Sequence, residues 1–145
     1  VSAGGITQAG IGYLLDLLRN AVAPAPTYYV ALVAQLPPGF TIGGEELDEP
    51  DFAEYARAEI VNDSASWEIT DNVMSNTGEV TFPTAGAEWG QVSYWAICDQ
   101  PQSLGGSVLW CGQFSEPLWV EDGQQVYLNP GELGLPISGN QWLMR

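Results

Sequence analysis

A chain of 145 residues has the length of one domain, enough to bury roughly 70% of its unfolded surface around a single core. Eighteen acidic residues stand against three arginines (Arg19, Arg57 and Arg145), with no lysine and no histidine, for a net charge of −15. That balance excludes nucleic acid and anionic membrane as partners, because both demand Lys or Arg to displace counterions. The missing histidine removes Ser-His-Asp and Cys-His nucleophile pairs and leaves zinc only cysteine and carboxylate ligands. With 46% hydrophobic residues the composition is that of a folded acidic module, not of a disordered one. Two cysteines are too few for a disulfide framework and fit a reducing compartment. No apolar run approaches the ~20 residues that span a bilayer, so a soluble protein is expected.

In chain order, "TQAGIGYLLDLLRNA" places Ile11, Leu14, Leu15 and Leu18 at helical spacing, widened by Tyr13 and Leu17. Thr7 is the candidate N-cap, and a helix over Gln8 to Arg19 is predicted, ended by "APAP". "TYYVALVA" (27–34) reads as a strand buried on both faces. "LPPGFTIGGEELDEPDF" (36–52), with three prolines, three glycines and five carboxylates, has loop composition. "YARAEIV" alternates, with Tyr55, Arg57, Glu59 and Val61 on one face and Ala56, Ala58 and Ile60 on the other. "SWEIT" and "EVTFP" are short strands. "GQVSYWAIC" follows, with Val92, Tyr94, Ala96 and Cys98 on one face and Gln91, Ser93, Trp95 and Ile97 on the other. "DQPQSLGG" is a hairpin loop to "SVLWCGQF", the Asp122-Gly123 dipeptide of "PLWVEDGQQVYL" signals a second tight hairpin, and "ELGLPIS" closes the chain. These elements predict a mainly β fold: an antiparallel β-sandwich or barrel of seven to eight short strands with one N-terminal helix. It forms one domain over 1–145, with arms at 1–5 and 139–145.

Several stretches invite a functional reading. "EWGQVSYWAICD" packs two tryptophans and a tyrosine between Glu88 and Asp99, but a continuous strand holds those carboxylates roughly 30 Å apart, far beyond the 5 to 10 Å of a glycosidase pair. A central core strand is favoured over a protein interface, and an interface over a sugar platform. "GGEELDEPD" lacks the D-x-D-x-D-G spacing of a calcium loop, so a solvated acidic face, or a loop meeting a basic neighbour, is expected. Arg57 is the expected ion-pair partner holding that loop. Pairing Trp95 with Trp110 across the first hairpin sets Cys98 opposite Ser107, which leaves Cys98 and Cys111 as buried free thiols. Six tryptophans exceed what one core of this size needs, and Trp142 in "QWLMR" is the best candidate for an intersubunit contact.

The order "LLDLL" (14–18), "YVALVAQLP" (29–37), "GGEE" (43–46), "YAR" (55–57), "TFPTA" (81–85), "WGQVSYWAICD" (89–99), "GGSVLWCG" (105–112) and "LPIS" (135–138) resembles small virion proteins of tailed bacteriophages of the β-sandwich type, the capsid decoration or tail-fibre-like proteins. The long insert between Leu36 and Tyr55, the absence of lysine and the "NQWLMR" tail depart from that pattern. The resemblance implies a structural virion protein without enzymatic activity, cofactor or metal. The expected role is a cement protein on the outer capsid surface that stabilises the assembled lattice by binding it and not its dissociated subunits. Its partners would then be the major capsid protein and two further copies in a homotrimer. Contacts are expected from Glu45, Glu46, Asp48, Glu49 and Asp51 to a basic shell, and from Trp142, Leu143 and the N-terminal arm between subunits. The alternative is a tail or fibre module that contacts host glycan through exposed tryptophan.

Overall fold

Thr7 starts the one α-helix among the described residues, which in the computed structural model are 3–36 and 43–137. Its extended backbone lets the side-chain oxygen accept from the Gly10 N–H at 3.0 Å, filling one of the donors a helix start leaves unpaired. The same hydroxyl lies 2.5 and 3.0 Å from the carbonyl oxygens of Val108 and Leu109, so the cap also fixes the helix to the sheet. The helix, α1, covers Gln8–Leu18. Ile11, Tyr13 and Leu14 pack against the core, whereas Leu15 and Leu18, expected on the same stripe, are exposed.

The described residues form ten strands: β1 (Ala3–Ile6), β2 (Thr27–Val33), β3 (Ala58–Val61), β4 (Trp67–Thr70), β5 (Val73–Asn76), β6 (Val80–Thr81), β7 (Gly90–Cys98), β8 (Val108–Val120), β9 (Tyr127–Leu128) and β10 (Gly134–Pro136). They pair antiparallel throughout, in a five-stranded sheet β1-β8-β7-β2-β3, a three-stranded sheet β10-β5-β4 and a two-stranded sheet β6-β9. The mainly β, antiparallel architecture with one N-terminal helix is the predicted class. The main core joins Trp95, Ile97, Trp110 and Leu109 of the large sheet to Trp67 and Leu135 of the three-stranded sheet and to Phe82, just after β6. A second cluster of small side chains, including Ala31, Val33, Ala96, Cys98 and Cys111, lies on the other face of the large sheet.

Several local features depart from the expectations. Residues 3–5 are not a free arm: β1 pairs Ala3–Ile6 with Gln113–Trp110 of β8, and Ile6 is completely buried. Asp71 and Asn72, both with positive φ (52° and 66°), form the two-residue turn of a β4–β5 hairpin that the sequence reading passed over. The Asp122-Gly123 turn does not close a hairpin, because its two arms pair elsewhere: Val120 with Gly90, and Tyr127 with Thr81. Finally, the strict alternation along β7 fails at a register shift between Val92 and Tyr94, so Val92 joins Trp95 in the main core. The expected register of the β7–β8 pair is also corrected, with Trp110 opposite Ile97 and not Trp95, and Cys98 opposite Val108 and not Ser107; both thiols are nevertheless free and buried, as expected.

Gly10 and Gly12 separate helix propensity from packing. A Cβ on Gly10 would collide with the Leu109 carbonyl oxygen, while one on Gly12 would meet open space. Alanine is favoured over glycine inside a helix by about 0.8–1.0 kcal/mol. Gly12→Ala should therefore raise stability by about that amount in urea unfolding, and Gly10→Ala should lower it; a gain at both positions would mean that α1 does not sit against β8 as described.

Candidate functional site

The carboxylate-rich loop owes its shape to a buried cation. β3 begins only at Ala58, so Tyr55 and Arg57, expected on an alternating strand face with the exposed Glu59 and Val61, instead lie in the run-in to the strand and are buried. The side chain of Arg57 is 1% exposed and that of Glu49 is 4%. A guanidinium has five N–H donors, and all five are matched. Nε donates to Glu49 Oε1 at 3.0 Å and Nη2 to Glu49 Oε2 at 2.8 Å, a two-pronged ion pair. Nη1 donates to the carbonyls of Gln100 and Gly105, each at 2.8 Å, and Nη2 to that of Gly44 at 3.0 Å. One side chain thereby ties the acidic loop to the β7–β8 connection.

Electrostatics at this centre follow from burial and from the pair. Burial opposes the charge on Arg57, but the hydrogen bonds to Glu49 and the neighbouring charges outweigh it, and the pKa lies above the ordinary arginine value. Tyr55 donates to Glu49 Oε1 at 2.7 Å and accepts from the Leu32 N–H at 3.1 Å. Burial, then the Glu49 charge, push its pKa well up, so it stays a neutral donor. Burial likewise raises the Cys98 thiol to about 12, only partly offset by Arg57, which leaves it protonated and unreactive at neutral pH. Tyr55 meets Trp89 edge-on with ring centroids 5.4 Å apart. Glu54 accepts from the Gly86 N–H at 2.6 Å and Trp89 Nε1 at 3.1 Å. Hydrogen bonds from its own backbone, from Gly86 and from Trp89 hold its pKa below the usual carboxylate value.

Glycine makes the close approach of the two loops feasible. A Cβ on Gly44 would overlap the Gly105 carbonyl, and Gly105 and Gly106 both have positive φ (69° and 78°). The Gly44 N–H donates to Gly106 O at 2.8 Å, and Asp99, at the start of the turn, accepts from the Ser107 N–H at 2.8 Å. In the sequence these glycines signal only a loop and a hairpin; their meeting around Arg57 is a tertiary contact.

The expected contact residues divide accordingly. Glu45, Glu46, Asp48 and Asp51 are exposed and form an acidic face. Glu49 is removed from that face, because its carboxylate turns inward to Arg57. Trp142 and Leu143 lie outside the described residues. Among the described residues no group of three or more Cys, Asp or Glu side chains is placed to hold a metal ion, and no helix is long and apolar enough to cross a membrane. Of the five tryptophans within the described residues, Trp67, Trp89, Trp95 and Trp110 are buried and only Trp119 is exposed, so the expected surplus for interfaces is mostly core.

Residues 9–136 match the family described as podophage GP4 fiber I protein gp80. The chain belongs to this family. This gp80-family chain is thus a structural protein of a phage virion, in agreement with the resemblance read from its motifs. No curated protein compared with it matches. In this member of the gp80 family an acidic face is carried on a loop tied to the β7–β8 connection by Arg57, and Trp119 is exposed on β8.

Breaking a buried ion pair by removing one partner costs about 3–5 kcal/mol. Arg57→Met should destabilise the domain by about that amount in urea unfolding, and adding Glu49→Leu should recover part of the loss by removing the stranded carboxylate. The same large loss in single and double variants would show that the three carbonyl contacts, and not the ion pair, dominate.

Proposed function

We propose that the chain is a non-enzymatic module of the tail fibre apparatus, in preference to a cement on the capsid lattice. The observation that carries this reading is the match over residues 9–136 to a family described as a fiber protein. Several physical features support it. The side chains with the largest pKa shifts, Tyr55, Tyr28 and Cys98, are all buried and all move up, away from neutrality and not toward it. Glu88 and Asp99 flank opposite ends of β7, with Asp99 accepting from the Ser107 N–H, so they are not paired with each other as a two-carboxylate mechanism requires. Exposed Leu15, Leu18, Ile69 and Ile137 are apolar surface of the kind that assembly covers.

On this reading the partners are other structural proteins of the virion and further copies of the chain. The exposed acids repel copies away from the assembly, while neutral and apolar surface makes the specific contacts.

Cosedimentation of the purified chain with isolated tails and, separately, with heads lacking it tests the assignment. Saturable binding to tails that survives 0.5 M salt is expected. Saturable binding to heads alone would overturn the fibre reading and restore the capsid cement.

A further inference from the structure

The Asp122-Gly123 turn that fails to close a hairpin leaves an open groove between its arms. Residues 118–120 are paired with β7 and residue 127 with β6, so the arms diverge and a cavity of about 410 Å³ lies between them. That volume falls in the range of about 300–1,000 Å³ typical of small-ligand sites. Trp119 and Tyr127 line it, 56% and 53% exposed, beside Leu118, Gln124 and Gln125. None of the residues lining it is charged, in a chain with eighteen carboxylates. Two other polar grooves contain Glu59 and Glu79, or Asp48, Glu49 and Asp51.

The groove is held in shape. Gln125 Nε2 donates to the Phe82 carbonyl at 2.8 Å, and its Oε1 accepts from the Tyr127 hydroxyl at 2.9 Å, which fixes the tyrosine ring. The Tyr127 oxygen keeps its lone pairs for an incoming donor. Gln124 Oε1 accepts from the Glu121 N–H at 2.7 Å, leaving its amide N–H groups to donate. Flat aromatic faces beside amide donors and hydroxyl acceptors, without charge, match a ligand with apolar C–H faces and many hydroxyls.

We infer that the Trp119–Tyr127 groove binds a neutral oligosaccharide. Trp119 and Tyr127 stack on sugar faces, Gln124 and the Tyr127 oxygen bond hydroxyls, and Gln125 is a positioning residue. Anionic sugars are disfavoured because the surrounding surface is acidic and the groove offers no cation. The inference rests on the fibre reading only for its biological setting, since binding by the isolated chain does not depend on where the chain sits in the virion.

The test is an array of neutral hexose and N-acetylhexosamine oligosaccharides with sialylated and phosphorylated comparators, followed by titration of the best neutral binder. Wild type should bind neutral members only. Trp119→Ala and Tyr127→Ala should each weaken binding at least ten-fold with unchanged urea midpoints, Tyr127→Phe should retain most of it, and Ile69→Ser, outside the groove, should leave it unchanged. No array binding by wild type, or equal binding by Trp119→Ala, overturns the inference. A change in sedimentation mass on Trp119→Ala without array binding also overturns it and assigns the groove to a protein contact. A blank array with intact binding to tails would sink the sugar site and leave the fibre reading standing.

Discussion

The buried guanidinium of Arg57 is the constraint around which the surface of this domain is arranged. A charge taken out of water is tolerable only when paired and fully hydrogen-bonded. Here each of its five donors has a partner, drawn from the acidic loop and from the connection between β7 and β8. Satisfying it therefore fixes two loops at once. It also sorts the carboxylates of the loop: Glu49 goes in, and Glu45, Glu46, Asp48 and Asp51 stay out.

The scarcity of cations makes that arrangement consequential. With three arginines in the chain, Arg57 inside and Arg19 paired with Asp16 at 2.7 Å, little positive charge remains to neutralise the exposed acids. The described surface includes acidic ground, an apolar groove lined by Leu14, Ile69 and Ile137, and an uncharged polar groove beside Trp119. Assembly and recognition in a virion depend on such division, because like charge keeps copies apart until a complementary surface is met. The proposed fibre role and the proposed sugar site both draw on it.

Much of this was legible in the sequence wherever a single local rule decided the outcome. Thr7 and the leucine spacing marked α1, the apolar "TYYVALV" marked a central strand, and Arg57 among carboxylates marked the ion pair. Legibility ended where tertiary pairing overrode a local signal. Asp122-Gly123 is a strong hairpin dipeptide, yet its arms found better partners in β7 and β6. The register shift between Val92 and Tyr94 changes which side chains share a face, and periodicity alone does not reveal it. The tryptophans misled because composition counts them without showing which face each occupies; four of the five described became core. For the candidate site, the acidic face was visible as composition, whereas the inward turn of Glu49 and the groove at Trp119 exist only once the strands are paired.

The central claim concerns where in the virion this acidic module resides. Labelling intact virions with antibody fragments raised against the folded chain, and imaging them by cryo-electron microscopy, tests it most directly. The account predicts label confined to fibres at the tail end of the particle; label distributed over the capsid faces, with bare tails, would contradict it.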